Sequence, residues 1–111
     1  MITYNQIEKL FSYDLKMKSC IEIEFELVGN PDYQDCWMGK MPDNIQKDKE
    51  CYWFGLAVDG SKAYDYDNFY DFSSAPVFDG KNLKEIWNQI EVLSINGCDP
   101  EGIIGFYIKD K

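Results

Sequence analysis

Residues 20–28 carry the plainest pattern in the chain. Ile21, Ile23, Phe25 and Leu27 alternate with Glu22, Glu24 and Glu26, so a strand there turns one side to a core and the other, anionic, to solvent. Ahead of it, Thr3 and Gln6 form a T-x-x-Q capping box, and Ile7, Leu10 and Phe11 share one stripe at helical spacing. That pattern predicts an amphipathic helix that covers a sheet face and fades over residues 13–18. After the strand, Gly29-Asn30-Pro31-Asp32 is a turn sequence. A short second strand is predicted over residues 33–38, carrying Trp37 and broken by Gly39-Lys40-Met41-Pro42, with an exposed polar loop over residues 43–50.

The stretch CYWFGLAVDGSKAYDY, residues 51–66, reads as a β-hairpin turning on Asp59-Gly60, a dipeptide suited to a two-residue type I′ turn. Such a loop places Val58 opposite Ser61, Leu56 opposite Ala63, Gly55 opposite Tyr64 and Trp53 opposite Tyr66. A run so apolar on both sides belongs inside a sheet. Aromatic and acidic residues then interleave over residues 67–79, read as a loop because Pro76 opposes a central strand. Asp79-Gly80 turns the chain into a predicted main helix over residues 82–93, with Leu83, Ile86, Trp87, Ile90 and Leu93 on one face. On that reading Trp87→Ala and Ile90→Ala rank among the most damaging changes. Residues 97–102 form a turn around Asp99-Pro100, a final strand spans 103–108, and Lys109-Asp110-Lys111 is a polar tail. The order of elements predicts one α+β domain over residues 1–111: a mostly antiparallel sheet of about five strands, with two helices packed largely on one face.

Charge narrows the function more than the fold does. Asp and Glu number 20 against 11 basic residues, all of them Lys, for a net −9. That disfavours nucleic acid and anionic membrane, which need a basic surface, and favours a basic protein partner. With 45% hydrophobic and 16% aromatic residues, the chain has material for a core without metal or disulfides. No apolar run reaches the roughly 18–20 residues of a membrane span, and MITYNQIEKLF lacks the layout of a signal peptide, so a cytoplasmic location is expected. Cys20, Cys36, Cys51 and Cys98 read as reduced, buried thiols; their spacing is wrong for a zinc site.

Histidine and arginine are both missing from the sequence. Their absence removes the usual general base, any His-dependent Ser or Cys nucleophile, and a bidentate guanidinium clamp. No phosphate-binding glycine loop is present, and Asp65-x-Asp67 lacks the Gly and Glu of a calcium loop. No cofactor or metal is expected, and the chain reads as a non-enzyme. What remains is recognition: glutamates at alternate strand positions lie about 6.6 Å apart in succession, which makes Glu22, Glu24 and Glu26 an anionic row. Asp65, Asp67 and Asp71 add a second acidic cluster, with Tyr64, Tyr66 and Tyr70 as aromatic anchors; acids steer a basic partner and rings supply contact area.

A small, acidic α+β domain with the E-x-E-x-E strand, an aromatic central hairpin and YDYDNFYDF resembles the immunity proteins of bacterial polymorphic and contact-dependent toxin systems. The resemblance implies a cytoplasmic protein that binds a cognate toxin domain, often a basic nuclease, and occludes its active site. Two alternatives stay open. One is a structural or regulatory homo-oligomer joined through a strand edge or aromatic patch. The other is a carboxylate-dependent enzyme or small-ligand binder, marked by converging acids in an enclosed pocket.

Overall fold

The computed structural model describes residues 2–12, 20–42, 49–57 and 59–108. The alternation of the first strand sets the whole plan. β1 (Ile21–Leu27) buries Ile21, Ile23, Phe25 and Leu27 on one side, and that side is extended by every strand paired around it. β2 (Cys36–Pro42), β3 (Glu50–Gly55), β4 (Ala63–Tyr66) and β5 (Ile90–Ile95) complete an antiparallel sheet in the order β4-β3-β2-β1-β5. Register aligns Ile95, Ile23, Met38 and Phe54 in one buried row across four strands. The helices α1 (Tyr4–Ser12), α2 (Phe69–Ser74) and α3 (Pro100–Tyr107) pack on this side, contributing Ile7, Leu10, Phe11, Phe72 and Ile104 to the same core. The domain is α+β with an antiparallel sheet covered on one face.

α1 forms where the capping box predicts it. Gln6 N–H donates to Thr3 Oγ1 at 3.1 Å, and Thr3 N–H donates to Gln6 Oε1 at 2.9 Å; the two bonds satisfy donors that a helix start leaves unpaired. The predicted fading of this helix, most of the polar loop after β2, Val58 and the C-terminal tail lie outside the described residues.

Several expectations are overturned. Gly39-Lys40-Met41-Pro42 does not break β2 but finishes it, because Gly39 lets the backbones of β1 and β2 and the Trp53 ring approach closely and Pro42 sits at the strand end. Residues 67–79 are not a loop throughout: Asn68 Oδ1 accepts from Asp71 N–H at 2.7 Å and starts α2. Residues 82–93 are not a helix. Asn82 and Glu85 exchange backbone-to-side-chain bonds of 2.9 and 3.0 Å around one turn, a 3₁₀ turn follows at Trp87–Gln89, and pairing with β1 then extends the chain as β5. Trp87 and Ile90 are consequently only half-buried. Residues 103–108 are not a strand, since Asp99 Oδ2 caps α3 through Gly102 N–H at 2.9 Å with Pro100 in its first turn. The thiols are not uniformly buried either: Cys36 is, Cys51 is half-buried, and Cys20 and Cys98 are exposed. Burial first, then the Asp35 charge, pushes the Cys36 thiol up to about 11.

Among the described residues the core face contains one buried cation. Lys40, 2% exposed, donates from Nζ to the Phe11 carbonyl at the C-terminal end of α1 at 2.7 Å and pairs with Glu50 Oε1 at 3.1 Å. A cation there suits the negative end of a helix. Tyr52 donates to the same Glu50 oxygen at 3.3 Å, and burial, followed by Glu50, pushes its hydroxyl up to about 12. Lys40→Met is expected to cost about 1–3 kcal/mol in a urea titration, because it leaves a buried carbonyl without its donor while Glu50 turns to water. An unchanged midpoint would mean that the Lys40 bonds contribute nothing net.

Candidate functional site

The helices cover one side of the sheet, and the other side is where the predicted glutamates emerge. Register sorts its positions into rows. Asp65, Trp53, Gly39 and Glu22 form one row across β4, β3, β2 and β1. Ala63, Gly55, Trp37, Glu24 and Ser94 form the next, reaching β5. Beyond it Glu26 stands opposite Glu91, and at the other end Met41 stands opposite Cys51. No lysine occupies any of these positions, because Lys40, the lysine of β2, points to the core. None of Glu22, Glu24, Glu26 and Asp65 forms an ion pair among the described residues. The Ser94 hydroxyl lies 3.4 Å from Glu24 Oε1.

Aromatic area lies beside the acids. The Trp53 ring rests over Gly39, where a Cβ would come within 3.0 Å of Cζ2. Its buried Nε1–H has no hydrogen-bond partner among the described residues. Trp37, 38% exposed, is a diagonal neighbour of Trp53 on the adjacent strand, through its pairing with Gly55. Together with Glu24, Asp35, Gly55 and Ala57 the two indoles line a shallow notch of about 480 Å³. Asp35 is held at the rim of β2 in a left-handed conformation, φ +53°. Among the described residues no group of His, Cys, Asp or Glu side chains is arranged to hold a metal ion.

The predicted site residues therefore separate. Glu22, Glu24, Glu26 and Asp65 share the open face. Tyr64 and Tyr66 do not, because the hairpin register differs by one residue from a two-residue loop: Gly55 pairs with Ala63, Phe54 with Tyr64, Trp53 with Asp65 and Tyr52 with Tyr66. Tyr66 packs edge-on to Phe54 and Phe72, both at 6.3 Å, half-buried against the core; burial, then Tyr64, raises its pKa. Tyr64 is 36% exposed on that same side of β4. Asp67, Tyr70 and Asp71 are exposed in and before α2, and the Asp71 carboxylate is tied to Asn68 Nδ2 at 3.1 Å. The indoles, Asp35 and Glu91 were the residues missing from the sequence-predicted site. Continuing the alternation Cys36, Trp37, Met38 through Gly39 and Lys40 is the signal that would have placed Trp37 beside the glutamates. Compared with known proteins, the chain matches no family model, no curated protein and no solved structure.

Proposed function

We propose that this domain is a non-enzymatic binding protein that neutralises a basic protein partner, such as a toxin domain, by seating it on the open sheet face. The observation that carries the reading is the row of Glu22, Glu24 and Glu26 with Asp65 on a surface that has no lysine among its paired positions and exposes Trp37 beside them. Carboxylates steer a basic surface at long range; indoles provide the desolvated contact that holds it. Five strands behind the face give it rigidity, so little ordering cost falls on association.

The test compares the wild type with Glu22→Gln/Glu24→Gln/Glu26→Gln as baits against extracts of the source cells, eluting in salt steps. A basic protein held by the wild type and lost from the variant is the expected result, with association at low salt slowed about ten- to a hundredfold and its salt dependence flattened. Removing like charges from one surface relieves repulsion, so the variant should melt no lower than the wild type. Identical capture by both baits would remove this face from the function.

A separate apolar margin favours a second reading, self-association. Val28 is 60% exposed and Leu93 40%, and both line a groove of about 550 Å³ between the edge strand β5 and α3, together with Ile2, Trp87 and Pro100. Sedimentation equilibrium decides: a mass that rises with concentration and collapses in Leu93→Glu supports self-association through this margin, and a constant monomer mass excludes it.

A further inference from the structure

The notch on the open face has the chemistry of a receptor for a single cationic side chain. Two tryptophans, Trp37 and Trp53, line it together with two acidic residues, Glu24 and Asp35. Glu24 stands directly opposite Trp37 across β1 and β2, which places a charge and an indole within reach of the same incoming group. We propose that this notch takes an arginine side chain of the basic partner, its guanidinium held against Trp37 and Trp53 and hydrogen-bonded to Glu24 and Asp35. The inference rests on the binding function proposed above and specifies the residue that anchors it.

Arginine fits better than lysine on physical grounds. A guanidinium is planar, stacks on aromatic rings, is weakly hydrated, and presents several donors to carboxylates on different sides. An ammonium loses more hydration and stacks poorly. The occupant comes from another kind of molecule, because this chain contains no arginine and all 11 of its cationic residues are lysines. Charge complementarity points the same way: the neighbouring Glu22, Glu26 and Asp65 surround the notch with negative potential and no lysine among the paired positions.

The probe is Nα-acetylarginine amide, titrated into the ¹⁵N-labelled protein while the indole N–H signals are followed by NMR. Trp87 serves as the internal reference, because its Nε1–H donates to the Ile2 carbonyl at 3.1 Å, away from the open face. Saturable shifts of Trp37 and Trp53 with Trp87 unmoved are expected, and Nα-acetylcitrulline amide, the neutral isostere, should bind at least about tenfold more weakly. Glu24→Gln should weaken arginine amide about two- to fivefold, and Trp37→Leu about three- to tenfold, both at half-open positions that leave the Trp87 signal in place. Equal response to arginine and citrulline amides, or none at either indole, overturns the assignment. Lysine amide binding as tightly as arginine amide, with concentration-dependent broadening, also overturns it and makes a second copy of this chain the occupant. The notch and the wider reading fail separately. Salt-dependent partner capture with no indole response to arginine amide defeats the notch alone; a responsive notch with capture indifferent to the glutamate row defeats the reading alone.

Discussion

Replacing Gly39 by alanine is expected to cost at least about 4 kcal/mol, a large share of the roughly 5–15 kcal/mol that holds a domain of this size together. A Cβ at this position would run into the Ile21 carbonyl oxygen, lie 2.8 Å from the Ile21 carbonyl carbon and 3.0 Å from Trp53 Cζ2. The indole can tilt, but the carbonyl cannot retreat. β1 is paired on both sides, to β2 and to β5, and its Ile21, Ile23 and Phe25 side chains are fully buried, so moving the backbone breaks ladder bonds and core contacts together. Gly55→Ala is the control, since a Cβ there meets only Trp53 Cζ3, at 4.0 Å, and should stay within about 1 kcal/mol of wild type. Urea titrations of both variants check the pair. A Gly39→Ala midpoint matching that of Gly55→Ala would show that the sheet gives way at β1.

The elements legible in the sequence are those where local chemistry and tertiary demand agree. Thr3 and Gln6 pair with each other in α1, and the isoleucines of β1 face the core whichever strands flank them. Residues 82–95 misled because the two disagree. Asn82, Leu83 and Ile86 do begin a helical turn, so the helical spacing is real there; but from Ile90 onward the available partner is an open edge of β1, and pairing outweighs propensity. A bulge between Glu24 and Phe25 absorbs the change of register. α3 is the opposite case. The run Ile103, Ile104, Phe106, Tyr107 has strand composition, yet Asp99 and Pro100 supply a helix start, and Ile104 is buried while Phe106 is 67% exposed.

Half of the candidate site followed from alternation alone, and half did not. Glu22, Glu24 and Glu26 needed only a period of two. Placing Asp65 rather than Tyr66 beside Trp53 needed the length of the connection from β3 to β4: Leu56 N–H donates to the Lys62 carbonyl at 3.0 Å, and Asp59 Oδ1 accepts from Ser61 N–H at 2.9 Å. One residue of register exchanges Tyr66 for Asp65 opposite Trp53. That exchange turns a tyrosine from the expected surface toward the core and brings a carboxylate to the row of the indole. Type I′ geometry does occur in this chain, at Asp79-Gly80, with φ of +55° and +87°, and at Asn96-Gly97, with +53° and +75°. The dipeptide signal is therefore sound, and its meaning depends on which strands are in reach.

Phe72→Ala is expected to lower stability by about 3–5 kcal/mol, more than either Trp87→Ala or Ile90→Ala, the changes that helical spacing nominates. Phe72 is 0% exposed and stacks on Phe54 with centroids 4.2 Å apart and planes at 15°. Phe11 at 5.2 Å, Phe69 at 5.8 Å, Tyr52 at 5.9 Å and Tyr66 at 6.3 Å close around it, so one ring joins α1, α2, β3 and β4. Truncation leaves a cavity bounded by rings that cannot all shift inward without unstacking from one another. Ile90 and Trp87 are half-buried, and water refills much of the space that their loss opens. Thermal melts should show a fall of roughly 10–20 °C for Phe72→Ala and less than half of that for Ile90→Ala. Because α2 lies on the covered side, the folded fraction of Phe72→Ala should bind arginine amide with wild-type affinity at low temperature. Equal melting of Phe72→Ala and wild type would place the centre of the core elsewhere; weakened binding by fully folded protein would mean that the open face depends on α2 for its shape.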